Sequence, residues 1–154
     1  FICNDEENWW DCYTNNFIKQ YYQIQKEGYD IYNEEAKLLN GQVDSNFLNN
    51  SVVFSGYLAD GTYIRWCGDC NYYNNRYAYP EIIVDVNGEK KPNKVGKDIF
   101  YMTIRENGVT PTCDTLDGYT PEMAENDCKA GGTGRCCLRK LINDNWEIKE
   151  DYPW

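Results

Sequence analysis

Hydrophobic and polar positions change period about a third of the way along the chain. Trp10, Tyr13, Phe17, Tyr21 and Ile24 recur at intervals of 3, 4, 4 and 3, the spacing of one apolar stripe on an α-helix. Asn4 and Glu7 stand at capping-box spacing before the stripe, and Gly28 follows it where a helix would stop. The pattern predicts a helix over 4–27, and a short second one over 33–39 ending at Asn40-Gly41. Beyond residue 50 the residues become β-rich. Residues 51–58 and 62–67 read as strands joined at the hairpin signal Ala59-Asp60-Gly61. Residues 81–86 read as a central strand, and 99–104 as another that ends at Asn107-Gly108. The last third is irregular. Thr120 and Pro121 fit an N-cap with Pro at the first helical position, and Gly131-Gly132 a stop. Residues 135–143 fit a short helix with Cys137, Leu138, Leu141 and Ile142 on one side, and 145–149 an alternating stretch that could return to a sheet edge. The expected class is α+β: a single domain over 1–154 with an N-terminal helix packed on an antiparallel sheet, 1–50 mainly helical, 51–154 sheet and loops, and a disulfide-bonded irregular C-terminal third.

Composition narrows the function. A chain of 154 residues can bury roughly two-thirds of the surface it exposes when unfolded. It carries 25 acidic against 15 basic residues, a net charge of −10, so nucleic acid is an unfavourable partner. There is no His, which removes Ser-His-Asp triads, Cys-His dyads and most catalytic zinc sites. No run of 18 apolar residues occurs. The 14 Tyr and 5 Trp imply a core built largely from aromatic rings.

Eight cysteines, Cys3, Cys12, Cys67, Cys70, Cys113, Cys128, Cys136 and Cys137, fit a disulfide framework made in an oxidising compartment. Eight allow 105 pairings; proximity suggests Cys3 with Cys12, and Cys113 with Cys128 or Cys136. Trp66-Cys67-Gly68-Asp69-Cys70 resembles the thioredoxin redox motif, which makes a thiol–disulfide oxidoreductase one alternative. That chemistry needs a helix starting at the first Cys, and Asn71-Tyr72-Tyr73-Asn74-Asn75 is a poor helix. Zinc held by Cys67 and Cys70 with Cys128 or Cys136 and Cys137 is another reading of the same thiols. The loop 71–79, with Tyr72, Tyr73 and Tyr77 among Asn and Arg, could bind glycan or a surface protein. Asn49-Asn50-Ser51 fits a glycosylation sequon. Lys90, Lys91, Lys94 and Lys97 form a basic patch in an acidic protein, a solvated loop or a contact to an acidic neighbouring subunit.

The segment 83–100 stands apart. A buried strand leads into a Gly/Pro/Asn loop that offers hard oxygen donors: Asp85, Asn87, Glu89, Asn93 and Asp98. The spacing begins like an EF-hand, but Lys90 stands where that loop needs Gly and Gly96 where it needs Glu. Two readings stay open, a calcium site and an Asx-turn loop closed by backbone N–H groups.

Here the sequence resembles a known family. Val84-Asp85-Val86-Asn87-Gly88, Pro92-Asn93, Gly96, Asp98 and Phe100 are similar to a segment of bacterial type IV pilin-like and type II secretion pseudopilin-like proteins. Ala59-Asp60-Gly61-Thr62 resembles the hairpin before it. Cys137, Lys140-Leu141-Ile142, Asp144, Trp146 and Ile148 resemble the closing helix and strand. The resemblance covers about 52–150. It implies a non-catalytic subunit of a pilus or pseudopilus, in the cell envelope or on an extracellular filament, whose partners are copies of itself or related pilins. It implies an apolar N-terminal segment as the only tie to the membrane, expected ahead of Phe1 in the full protein. It also favours calcium in the sheet loop.

Overall fold

The computed structural model describes residues 15, 19–28, 32, 34–45, 47, 52–67, 81–105, 107–116 and 118–153. Among the described residues six strands form one sheet: β1 (Ile24–Gly28), β2 (Val52–Leu58), β3 (Tyr63–Cys67), β4 (Glu81–Asp85), β5 (Ile99–Arg105) and β6 (Gly108–Pro111). Each is antiparallel to the next, in the order β1-β2-β3-β4-β5-β6. The helices among the described residues are short: α1 (Lys19–Tyr21), a 3-10 turn (Thr112–Thr115), α2 (Pro121–Asp127) and α3 (Cys137–Asn143).

The strands expected over 51–58, 62–67, 81–86 and 99–104 all form. Their side chains alternate between two faces. Tyr63, Ile83, Ile99 and Tyr101 join Tyr32, Ala36, Leu38, Phe47 and Val95 in one core. Phe54, Ile64, Trp66 and Ile82 gather on the other face with Tyr22, Ile24 and Met102 against them. Rings carry much of the first core: Tyr32 lies 4.8 Å from Phe47 and 4.7 Å from Tyr63, centroid to centroid, within the range of favourable aromatic pairs.

The expected N-terminal helix packed on a sheet is corrected. Of the span 4–27, only Asn15 and Lys19–Tyr21 are helical among the described residues, and Ile24–Gly28 is an edge strand. Ile24 completes the helical stripe in sequence, yet its backbone lies opposite Leu58 and that of Gly28 opposite Ser55. A ladder of interstrand hydrogen bonds outweighs a weak local preference. Residues 1–14 and 16–18 lie outside the described residues. The helix expected over 33–39 also fails. Lys37 bridges Val43 and Lys94, with Lys37 N–H donating to Asn93 O at 2.9 Å and Val95 N–H to Lys37 O at 2.8 Å. Partners distant in sequence thus take the hydrogen-bonding groups a helix would have used.

In the last third, Thr120 precedes Pro121 at the start of α2 as expected. The return to a sheet edge over 145–149 does not occur. Trp146 N–H donates to Leu141 O at 2.7 Å and Asn145 N–H to Ile142 O at 3.1 Å, the paired bonds of a Schellman ending to α3. Two disulfides, Cys113–Cys136 and Cys128–Cys137, cross in sequence and join the 3-10 turn, α2 and α3. The first is one of the two alternatives left open for Cys113.

Candidate functional site

Loop 86–98 leaves the buried end of β4 and returns to β5. Asp85 is fully buried. Its Oδ2 accepts the Tyr32 hydroxyl at 2.6 Å and its Oδ1 the Asn87 N–H at 3.1 Å. Asp98 closes the far side, accepting Asn93 N–H at 2.8 Å, Lys94 N–H at 2.6 Å and Asn87 Nδ2 at 3.3 Å. Four of the five expected donors, Asp85, Asn87, Asn93 and Asp98, therefore meet. Glu89 does not join them; its carboxylate accepts the Tyr57 hydroxyl. The Asx-turn reading describes these bonds. Burial, the largest influence, pushes the Asp85 carboxyl up to about 6, with the Asp98 charge adding to it and the Tyr32 and Asn87 bonds opposing it.

Three stretches distant in sequence converge on this loop. From the β2–β3 hairpin, the Thr62 hydroxyl donates to Val86 O at 3.4 Å, and a Cβ at Gly88 would lie 2.6 Å from Gly61 O. From the disulfide-linked segment 112–153, the C-terminal knot, Gly134 (φ +86°) packs so closely that an added Cβ would lie 2.3 Å from Val95 O. The Tyr152 hydroxyl donates to Gly96 O.

Two buried amide oxygens on the loop, Asn87 Oδ1 and Asn93 Oδ1, accept no hydrogen bond. With Asp85 and Asp98 they form a hard-oxygen donor set of the kind calcium uses. The set holds only two carboxylates; among the described residues no three Cys, Asp or Glu side chains cluster to hold a metal.

A second polar cluster lay hidden in the sequence. Asp44, fully buried, accepts the Tyr101 hydroxyl and Arg135 Nη2, each at 2.6 Å. Glu81 accepts Thr112 Oγ1 at 2.9 Å, and Thr112 meets Thr103 at 3.0 Å. Arg65, 1% exposed, stacks over Phe47. The one signal was a charge inside an apolar strand, Tyr63-Ile64-Arg65-Trp66. Burial pushes Glu81 up to about 7, against the Thr112 bond and the Arg135 and Arg65 charges, while Asp44 raises it further.

This has a pH consequence. Between the ordinary Glu range and pH 7 the folded state holds a proton that the unfolded chain has lost. Stability from Glu81 is full below that range and is lost as pH rises through about 7. Asp85 acts with the same sign up to about 6. Asp144, held low by its bonds to Lys149 and Lys140, has the opposite sign and loses its contribution only in acid. Stability from urea unfolding is expected to rise from pH 8 to pH 5. Glu81→Gln should remove a share on the order of 3 kcal/mol at most; an unchanged slope in that variant would rule out Glu81 as the source.

Cys67 ends β3, opposite Val52 and Glu81. Cys3, Cys12, Cys70, Tyr72, Tyr73 and Tyr77 lie outside the described residues. Cys128, Cys136 and Cys137 are in disulfides, which withdraws them as zinc thiolates. Among the described residues no helix is long and apolar enough to cross a membrane. The disulfides are of a kind that form and persist in oxidising compartments. No family model matches the chain, and neither a curated protein nor a solved structure matches it.

Proposed function

We propose that the chain is the globular head of a pilin-like or pseudopilin-like filament subunit with no catalytic role. The observation that carries this reading is the meeting of the three resembling stretches. The hairpin at 58–64 and the stretch at 134–148 each touch the loop segment 83–100, the first through Thr62 and Gly88 and the second through Gly134 and Val95. Stretches that resemble one family separately, and also form one body, have a shared structural reason to occur together. The function is then assembly with copies of itself or related subunits, in the cell envelope or on an extracellular filament. The crossed disulfides suit that location. Membrane attachment would come through an apolar segment preceding Phe1.

The test is immunogold labelling of filaments sheared from the source cells, with sequencing of the gene upstream of Phe1. The expected result is labelled filaments and an upstream apolar stretch of about 20 residues. Unlabelled filaments, or a gene without that stretch, overturn the reading. Calcium belongs to the same proposal. Asp85 and Asp98 with the Asn87 and Asn93 amide oxygens would hold it, and the ion would tie the two ends of the loop together. Excess chelator should lower the melting temperature of the wild type and leave Asp98→Ala unmoved. A chelator-indifferent wild type refutes calcium and leaves the filament role standing.

A further inference from the structure

Trp146 is 66% exposed and Ile148 54% exposed, on the loop that follows α3. The loop is not loose. Lys140, 2% exposed, pairs with Glu125, Asp144 and Asp151 at 2.8, 3.1 and 2.9 Å. Lys149 pairs with Asp144, and Tyr152 is buried with its hydroxyl on Gly96 O. Both ends of the loop are thus pinned while its apolar side chains face water. The backbone is also unusual there. Asn145 (φ +56°) takes the left-handed position that a Schellman ending needs, but the next residue, Trp146, is left-handed too (φ +64°). That conformation is unfavourable for a bulky L residue. An aromatic ring held outward in a strained, braced turn points to a contact.

Charge identifies the partner. Exposed Glu147 and Glu150 flank Trp146 and Ile148, and neither is ion-paired among the described residues. A surface that fits must be basic with an apolar element. The chain carries one itself: Lys90, Lys91, Lys94 and Lys97, four of its 15 basic residues, beside Val86, which is 51% exposed. None of these four ammonium groups pairs with a carboxylate among the described residues. We infer that the Trp146–Ile148 loop of one copy docks on the Val86–Lys97 loop of a second copy, the acidic flank against the lysines. The inference rests on the filament reading, to which it adds the contact between heads. Two different patches meet, so the contact is a heterologous one that can repeat along a filament.

The test uses the purified protein with a photo-crosslinking phenylalanine analogue at Trp146. The expected crosslinks join position 146 to residues 86–97 of another copy, and their yield falls as salt is raised. Trp146→Ala, with the analogue moved to Val86, and separately Lys90→Glu with Lys91→Glu, should each cut the yield about tenfold or more. Mixing the Lys→Glu protein with one carrying Glu147→Lys and Glu150→Lys should restore it. Crosslinks at Leu116 or Met123, on a membrane or another protein only, or none at all, overturn the contact. If labelled filaments exist without these crosslinks, only this contact fails. If the crosslinks form but cells carry no labelled filament, only the filament reading fails.

Discussion

Asp44→Ala is expected to lower the unfolding free energy by about 3–5 kcal/mol, the range found when one member of a buried ion pair is removed. The carboxylate accepts the Tyr101 hydroxyl and the Arg135 guanidinium and has no exposed surface. Its loss leaves a phenol and a cation in a core that still holds Arg65 and Glu81. The side chain of Arg135 is 18% exposed, so water reaches one side of the guanidinium and the loss should fall toward the lower end of that range. A double-mutant cycle with Arg135→Met isolates the pair: the double variant should lose less than the sum of the singles. Urea unfolding under oxidising conditions measures it. A loss below about 1 kcal/mol for Asp44→Ala, the size of an exposed pair, would mean that the pair is solvated.

The second large effect concerns Gly134. Gly134 and Gly41 share φ +86°, so replacing either by Ala incurs the same backbone penalty, roughly 1–2 kcal/mol. Only their surroundings differ. A Cβ at Gly41 meets nothing within 4 Å, whereas at Gly134 it meets Val95 O at 2.3 Å and Leu39 Cγ at 2.8 Å. Gly134→Ala should therefore lose about 2–3 kcal/mol beyond Gly41→Ala, the magnitude typical of overpacking a tight site. The difference reads directly how firmly loop 86–98 is seated on the C-terminal knot. Equal losses at the two sites would show that the loop is free to lift.

What could be read from the sequence was what local pattern decides. β2 to β5 follow from β-rich apolar runs bounded by Gly, Asn and Asp. The Asp85–Asp98 loop could be read because its donors sit close together in sequence. The failures share one cause. Ile24 extends a helical stripe, Glu34-Glu35-Ala36-Lys37-Leu38 is made of good helix formers, and 145–149 alternates. In each case the backbone is claimed by something the local pattern does not contain: the β2 edge for Ile24, Asn93 and Val95 for Lys37, and the end of α3 for Trp146. The Asp44 cluster was invisible for a related reason. Asp44, Glu81 and Arg135 are separated by tens of residues, and a charged residue seen alone in sequence reads as solvated. Only the sheet and the knot bring them to one place.

The order of the sheet sets how the chain can acquire it. Among the described residues every strand after the first pairs with the one before it in sequence, so none of them must wait for a distant partner before its hydrogen-bonding groups are used. A chain delivered N-terminus first, from a ribosome or through a translocation pore, can lay the strands down in the order they emerge, and even the longest connection, 29–51 between β1 and β2, adds little because closure entropy grows slowly with loop length. The knot obeys a different clock. Cys113 and Cys128 come out before either of their partners, and Cys136 and Cys137 follow as neighbours. Until residue 136 is free the two earlier thiols have only each other among these four, and that pairing is not the native one. Oxidation that outruns delivery would trap the last third of the molecule beside a finished sheet, so correct assembly favours an exchange catalyst where the chain emerges.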